Sequence, residues 1–78
     1  MQWQGDIVIL GVFAGNEGAN AWIFFRNALG VVGWRRIQAA SPTGVGHVLD
    51  VAIAAQQAQR VVQCLITNAG EIVAIQLL

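Results

Sequence analysis

Few residues in this chain have types and spacings that could do chemistry. His47 and Asp50 stand three apart in a segment of helical periodicity, so they fall on one side of a helix. A histidine and a carboxylate so placed can pass a proton or supply half of a metal site. Two ligands are too few for zinc, and no third is spaced to join them. The pair reads as a solvated stripe that continues through Ala54 and Gln57. Arg35 and Arg36 are the one basic cluster. Neighbours in a strand point to opposite faces, so the two do not make one patch. At least one is expected to pair with an acid such as Asp50 or Glu71. The other is then open to an anion such as a sialylated glycan or a phosphate.

Tryptophan offers an apolar face for sugar or base stacking, and it equally serves as a core or interface anchor. Trp34, next to the two arginines, is the one expected at a ligand, with Arg36 as its charged neighbour. Trp22, inside Trp-Ile-Phe-Phe, is expected in the core or at an interface, and Trp3 at one end of the fold. The polar run Gly15-Asn16-Glu17-Gly18-Ala19-Asn20 reads first as a turn. Asn16 and Glu17 are its candidate ligand contacts, as residues of a rim loop. It has neither a phosphate-loop lysine nor the acids of a calcium loop. Ser41 has no nucleophile elbow around it. Cys64 lies mid-strand among aliphatics, where a thiol is buried and inert. No catalytic set emerges, so the chain is expected not to be an enzyme and to need no metal or cofactor.

These side chains must be positioned by a short series of elements. Asp6–Ala14 is rich in β-branched residues and reads as a strand, with Ile7, Ile9 and Phe13 on one face and Val8, Leu10 and Val12 on the other. Ala21–Arg26 is a second strand and Val31–Gln38 a third, weakened or bulged at Gly33. Ser41-Pro42-Thr43-Gly44 breaks the pattern; Ser41 or Thr43 can cap a helix, with Pro42 in its first turn. The helix is expected over Val45–Gln59, with apolar residues on about two-thirds of its circumference, more than the single stripe of an ordinary surface helix. Val61–Thr67 and Glu71–Leu78 are the fourth and fifth strands, joined by Asn68-Ala69-Gly70 with Gly70 available for a left-handed position. In the fifth, Ile72, Ala74 and Leu78 oppose Val73, Ile75 and Leu77. The order β-β-β-α-β-β, mainly β with one helix, is that of an OB-fold-like five-stranded barrel over residues 1–78 as one domain. A twisted antiparallel sheet with one covering helix is the alternative.

Composition narrows the partners. The 78 residues are 56% hydrophobic and 10% charged, and four arginines balance four acids with no lysine. Such a chain is too apolar to be disordered, and with zero net charge it carries no footprint for DNA or RNA. One small core cannot hide this much apolar material, so a homo-oligomer is expected. No apolar run reaches the roughly 20 residues of a membrane-spanning helix. The start, Met1-Gln2-Trp3-Gln4-Gly5-Asp6, has no basic region or cleavage site, so a cytoplasmic protein or a mature secreted form is expected. A lone cysteine excludes an intrachain disulfide, and self-association remains as the route to stability.

Three segments together resemble one family. Residues 48–62, Val-Leu-Asp-Val-Ala-Ile-Ala-Ala-Gln-Gln-Ala-Gln-Arg-Val-Val, are similar to the helix and following strand of the B subunits of AB5 bacterial toxins, of the Shiga, subtilase and typhoid type. Gly33-Trp34 ahead of the helix and the opening Trp3-Gln4-Gly5-Asp6 are similar to features of the same subunits. The resemblance implies an OB-fold that forms a homopentameric ring and binds cell-surface glycans multivalently. It implies helices lining a central pore, with His47, Asp50 and Gln57 toward the pore water and Val48, Val51, Ile53 and Ala55 at the subunit interface. It also implies that edge strands of neighbours pair. The chain departs from the family in lacking its disulfide and its secretion signal, and in placing Gln59-Arg60 where a glycine is usual. The rival readings are a single-stranded nucleic-acid binder stacking bases on Trp22, Phe24 and Trp34, and a purely structural oligomer.

Overall fold

In a computed structural model, residues 1–16, 20–39 and 42–77 are described. The expectations placed on Glu17, Ser41 and Leu78 lie outside them. The elements are β1 (Gln2–Ala14), β2 (Ala21–Arg26), β3 (Val32–Arg36), α1 (Pro42–Ala58), β4 (Val61–Ile66) and β5 (Ile72–Leu77). The β-β-β-α-β-β order is as expected. The strands form one antiparallel sheet in the order β3-β2-β1-β4-β5.

The expected barrel does not close. Ile37, the residue after β3, meets Ile72 of β5 through a single parallel bridge, and the Gln38 N–H donates to the Ile72 carbonyl at 2.8 Å. The reason is one of overlap: β3 ends at Arg36, and among the described residues only Ile37 beyond it pairs with β5.

β1 is longer than the apolar pattern suggests. Gln2 to Val8 pairs with β4, and Val8 to Ala14 pairs with β2. Two irregularities let one strand serve both neighbours. The first falls between Gln4 and Ile7, where Asp6 adopts φ 55°, a left-handed geometry that aspartate tolerates. The second falls between Ile9 and Gly11. A bulge adds a residue and reverses the alternation beyond it. Phe13, expected beside Ile7 and Ile9, therefore stands on the opposite face across from Trp22, and Val12 packs on the core instead. The Leu10 carbonyl at this bulge accepts a hydrogen bond from Gln56 Nε2 of α1 at 3.1 Å. A similar shift between Leu65 and Ile66 puts Ile72 on the same face as Ile75 and Leu77. The pairing of β3 with β2 is regular through Gly33, so the expected bulge is absent there.

The core lies between this sheet face and α1. Ile7, Ile9, Ile23, Phe25, Ile37, Val62, Cys64, Ile66 and Ile72 meet Val45, Ala52 and Ala55 of the helix. α1 begins three residues earlier than expected, because Pro42 takes the first helical position, where its missing N–H costs nothing. Thr43 is thus inside the helix and is not its cap. At the other end the Arg60 N–H donates to the Ala55 carbonyl and the Gln59 N–H to that of Gln56, with Gln59 at φ 55°. This is a Schellman ending whose left-handed position is filled by glutamine rather than glycine.

The two hairpin turns are alike. Asn27 and Val31 close one, Thr67 and Glu71 the other, and Gly30 (φ 82°) and Gly70 (φ 84°) take the left-handed position in each. The expectation for Gly70 holds.

Candidate functional site

The sheet face turned away from α1 carries an aromatic field built from cross-strand pairs. Phe13, Trp22 and Arg36 stand in one row across β1, β2 and β3; Gly11, Phe24 and Trp34 form the next. Phe24 and Trp34 are in ring contact, with centroids 5.2 Å apart and planes tilted by 42°. Among the described residues nothing covers this face fully: Trp3, Phe13 and Trp34 are each close to half exposed. One face of β1 packs toward α1 and the other is left open.

At the β3 edge of this field, a groove of about 620 Å³ runs between the strand and the β4–β5 turn. It is lined by Trp22, Trp34, Arg35, Arg36 and residues 68–71. The alternation of β2 and β3 sends Trp22, Trp34 and Arg36 to the outer face, and the Gly70 turn supplies the far wall with Asn68 and Glu71. Trp34 and Arg36, expected at a ligand, are thus brought together. Trp22, expected in the core or an interface, joins them. Its position opposite Arg36 depends on strand register, and only the arginine's even spacing from Trp34 hinted at it. Glu71 was singled out only as an ion-pair partner. Asn16 is exposed and does not line the groove.

The polar groups here are unequally committed. The Trp22 indole N–H donates to Asn20 Oδ1 at 2.9 Å, so the ring presents its face rather than its donor. Arg35 Nη1 donates to the Trp34 carbonyl at 3.0 Å, and its guanidinium lies 5.7 Å from the Phe25 ring centroid. It occupies space left by Gly33, where an added Cβ would sit 3.5 Å from Arg35 Nη1. The expected pairing of an arginine with Asp50 or Glu71 is not made: Arg35 turns to backbone and ring, and Arg36 Nε is buried with no partner among the described residues. A buried donor without an acceptor is costly, typically by about 1–3 kcal/mol.

The other candidates lie elsewhere. His47, Asp50, Ala54 and Gln57 are all exposed along one side of α1, as the periodicity suggested. No group of three or more His, Cys, Asp or Glu side chains is placed to hold a metal among the described residues. Val48, Val51 and Ile53 are partly exposed, but Ala55 is fully buried against its own sheet and so lies off the helix's outer side. Cys64 is fully buried, and burial pushes its thiol up from 9.0 to about 12. No described helix is long and apolar enough to cross a membrane.

No protein-family model, curated protein or solved structure matches the chain.

Proposed function

We propose that the chain is a non-enzymatic, self-assembling interaction domain of OB-fold type. Copies form a ring, five in number if the resemblance to toxin B subunits extends to assembly, and display their grooves to cell-surface glycans. The observation that carries this reading is the open aromatic sheet face on a chain of zero net charge. Apolar surface of this kind is removed from water by a partner, and a second copy is the partner always at hand. The strand order and the parallel Ile37–Ile72 contact support an OB-type arrangement. The outer edges of β3 and β5 are available for pairing between copies, which would remove the hazard of open edges.

In such a ring His47, Asp50 and Gln57 face the central pore, and Val48, Val51 and Ile53 pack on the neighbouring subunit. Five weak sites on one rigid frame would bind a glycosylated surface by avidity rather than by the strength of any one site. The groove between β2–β3 and the β4–β5 turn supports the binding half of the reading, because OB-folds bind oligosaccharides and oligonucleotides on that side. The test is native mass in solution: about five chains is expected, and a stable monomer overturns the assembly.

One observation favours a second reading. Phe24 and Trp34 in contact, with Trp22 alongside, make a stacking platform for single-stranded nucleic acid. Salt-dependent retention on oligothymidylate would carry that reading, and failure to bind at low salt would remove it.

A further inference from the structure

We propose that the turn between β2 and β3 is a membrane-contact tip: Leu29, Val31 and Val32 enter the surface of an anionic lipid bilayer, with Arg26 against the lipid phosphates and Trp34 at headgroup level. The proposal depends neither on the groove nor on a ring.

The tip is apolar without a structural need to be. Leu29 is 88% exposed, more than any other large hydrophobic side chain described, and Val31 and Val32 are each over half exposed. The turn between β4 and β5 has the same geometry, with Gly70 in the place of Gly30. Where the first turn carries Leu29 and Val31, the second carries Ala69 and Glu71. The geometry therefore does not require apolar residues at these places, and a side chain as exposed as Leu29 adds nothing to the core.

A loop that enters an apolar medium must bring its backbone polar groups already paired. Asn27 does this for the tip. Its N–H donates to the Val31 carbonyl at 2.9 Å, and its carbonyl accepts from the Gly30 N–H at 3.0 Å. Its Oδ1 accepts from the Leu29 and Val31 N–H groups, both at 3.0 Å. The N–H groups of residues 27, 29, 30 and 31 thus all have acceptors inside the turn.

Charge points to the kind of surface. Residues 21–38 hold three of the chain's four arginines and none of its four acids. Arg26 is exposed at the base of the tip, directly across from Val32. Val32, Arg26, Val8 and Val61 form one row across four strands, and Val61 is also half exposed, so the apolar surface continues from the tip onto the sheet. Asp6 lies two residues from this row, beyond the irregularity in β1, and is outnumbered by the hairpin's three cations. Trp34 stands two residues from Val32, about 7 Å along the strand at the usual rise. Indoles settle at the headgroup level of a bilayer, and arginines are drawn to anionic lipid. A protruding apolar tip needs a shaped pocket in a protein partner but none in a bilayer, which deforms around it.

The experiment is flotation of the full chain with vesicles of phosphatidylcholine alone and of phosphatidylcholine mixed with phosphatidylserine. Neither lipid carries a sugar, so the result stands apart from glycan binding. The chain is expected to float with the mixed vesicles and to bind the neutral ones about fivefold less. Leu29→Asp is expected to weaken binding by about tenfold or more, with an unchanged circular dichroism spectrum. The double variant Leu29→Ala, Val31→Glu copies the second turn, which guards against a variant that fails to fold, and is expected to lose binding as well. Flotation with neither vesicle overturns the proposal, as does equal binding to both. Undiminished flotation of Leu29→Asp also overturns it. A lower native mass for Leu29→Asp than for the wild type, measured without vesicles, places the tip between copies of the chain and overturns it too.

Discussion

Trp22 and Arg36 are direct cross-strand partners on β2 and β3, and both side chains line one groove. The tryptophan's donor is satisfied by Asn20, while the arginine's buried Nε has no acceptor among the described residues. One polar neighbour is thus fixed in place and the other left wanting an acceptor. Asn20→Ala frees the indole N–H and loosens the ring. A loss of about 1 kcal/mol in urea unfolding is expected, with a shift in tryptophan emission.

The helix tests the assembly. Ile53 is partly exposed on α1, whereas Ala52 beside it is fully buried in the protomer. Ile53→Asp is expected to lower the native mass to that of one chain while the circular dichroism spectrum is kept. Ala52→Asp is expected to abolish folding, because it buries an unpaired charge in the core. If Ile53→Asp retains the native mass, α1 is not at an interface.

Gln59 invites a stabilising change. It holds φ 55° at the end of α1, where a side chain is strained and glycine is not. Gln59→Gly should raise stability by about 0.5–1 kcal/mol, the strain relieved being larger than the entropy glycine adds to the unfolded chain. A urea midpoint that falls instead would show that the glutamine side chain makes a contact worth more than the strain.

The two glycine turns separate stability from binding. Gly30 and Gly70 share the left-handed geometry, with φ 82° and 84°. Alanine at either should cost about 1 kcal/mol. Only Gly70→Ala should also shift the tryptophan emission, because only that turn lines the groove beside Trp22 and Trp34.

Cys64 sets a limit at alkaline pH. Its thiol is pushed up from 9.0 to about 12 by burial, so the folded chain keeps a proton that the unfolded chain releases. The contribution is whole below about pH 9 and is lost progressively between about pH 9 and about pH 12. Stability measured over that interval should fall more steeply in the wild type than in Cys64→Val. A thiol reagent at pH 8 should modify Cys64 only under denaturing conditions.

Much of this protein was written in local pattern. Alternation placed Ile23 and Phe25 on one face and Trp22 and Phe24 on the other, and Gly70 announced its turn, because both signals depend on a few adjacent residues. The 3.6-residue period found the exposed stripe from His47 to Gln57 for the same reason. What local pattern could not supply was anything requiring a count across a bulge or a meeting of distant strands. The extra residue near Leu10 carried Phe13 to the outer face, and nothing in the alternation marks where a bulge falls. The barrel stayed open because, among the described residues, the segment after β3 meets β5 at one position, a matter of strand end-points that composition does not encode. The groove exists only in the tertiary structure, since residues 22, 34–36 and 68–71 converge through pairing register and the placement of a turn. Residue types determined what the chain can offer, an arginine and two indoles; three-dimensional packing decided that they stand together and that the arginine's Nε is buried without an acceptor among the described residues.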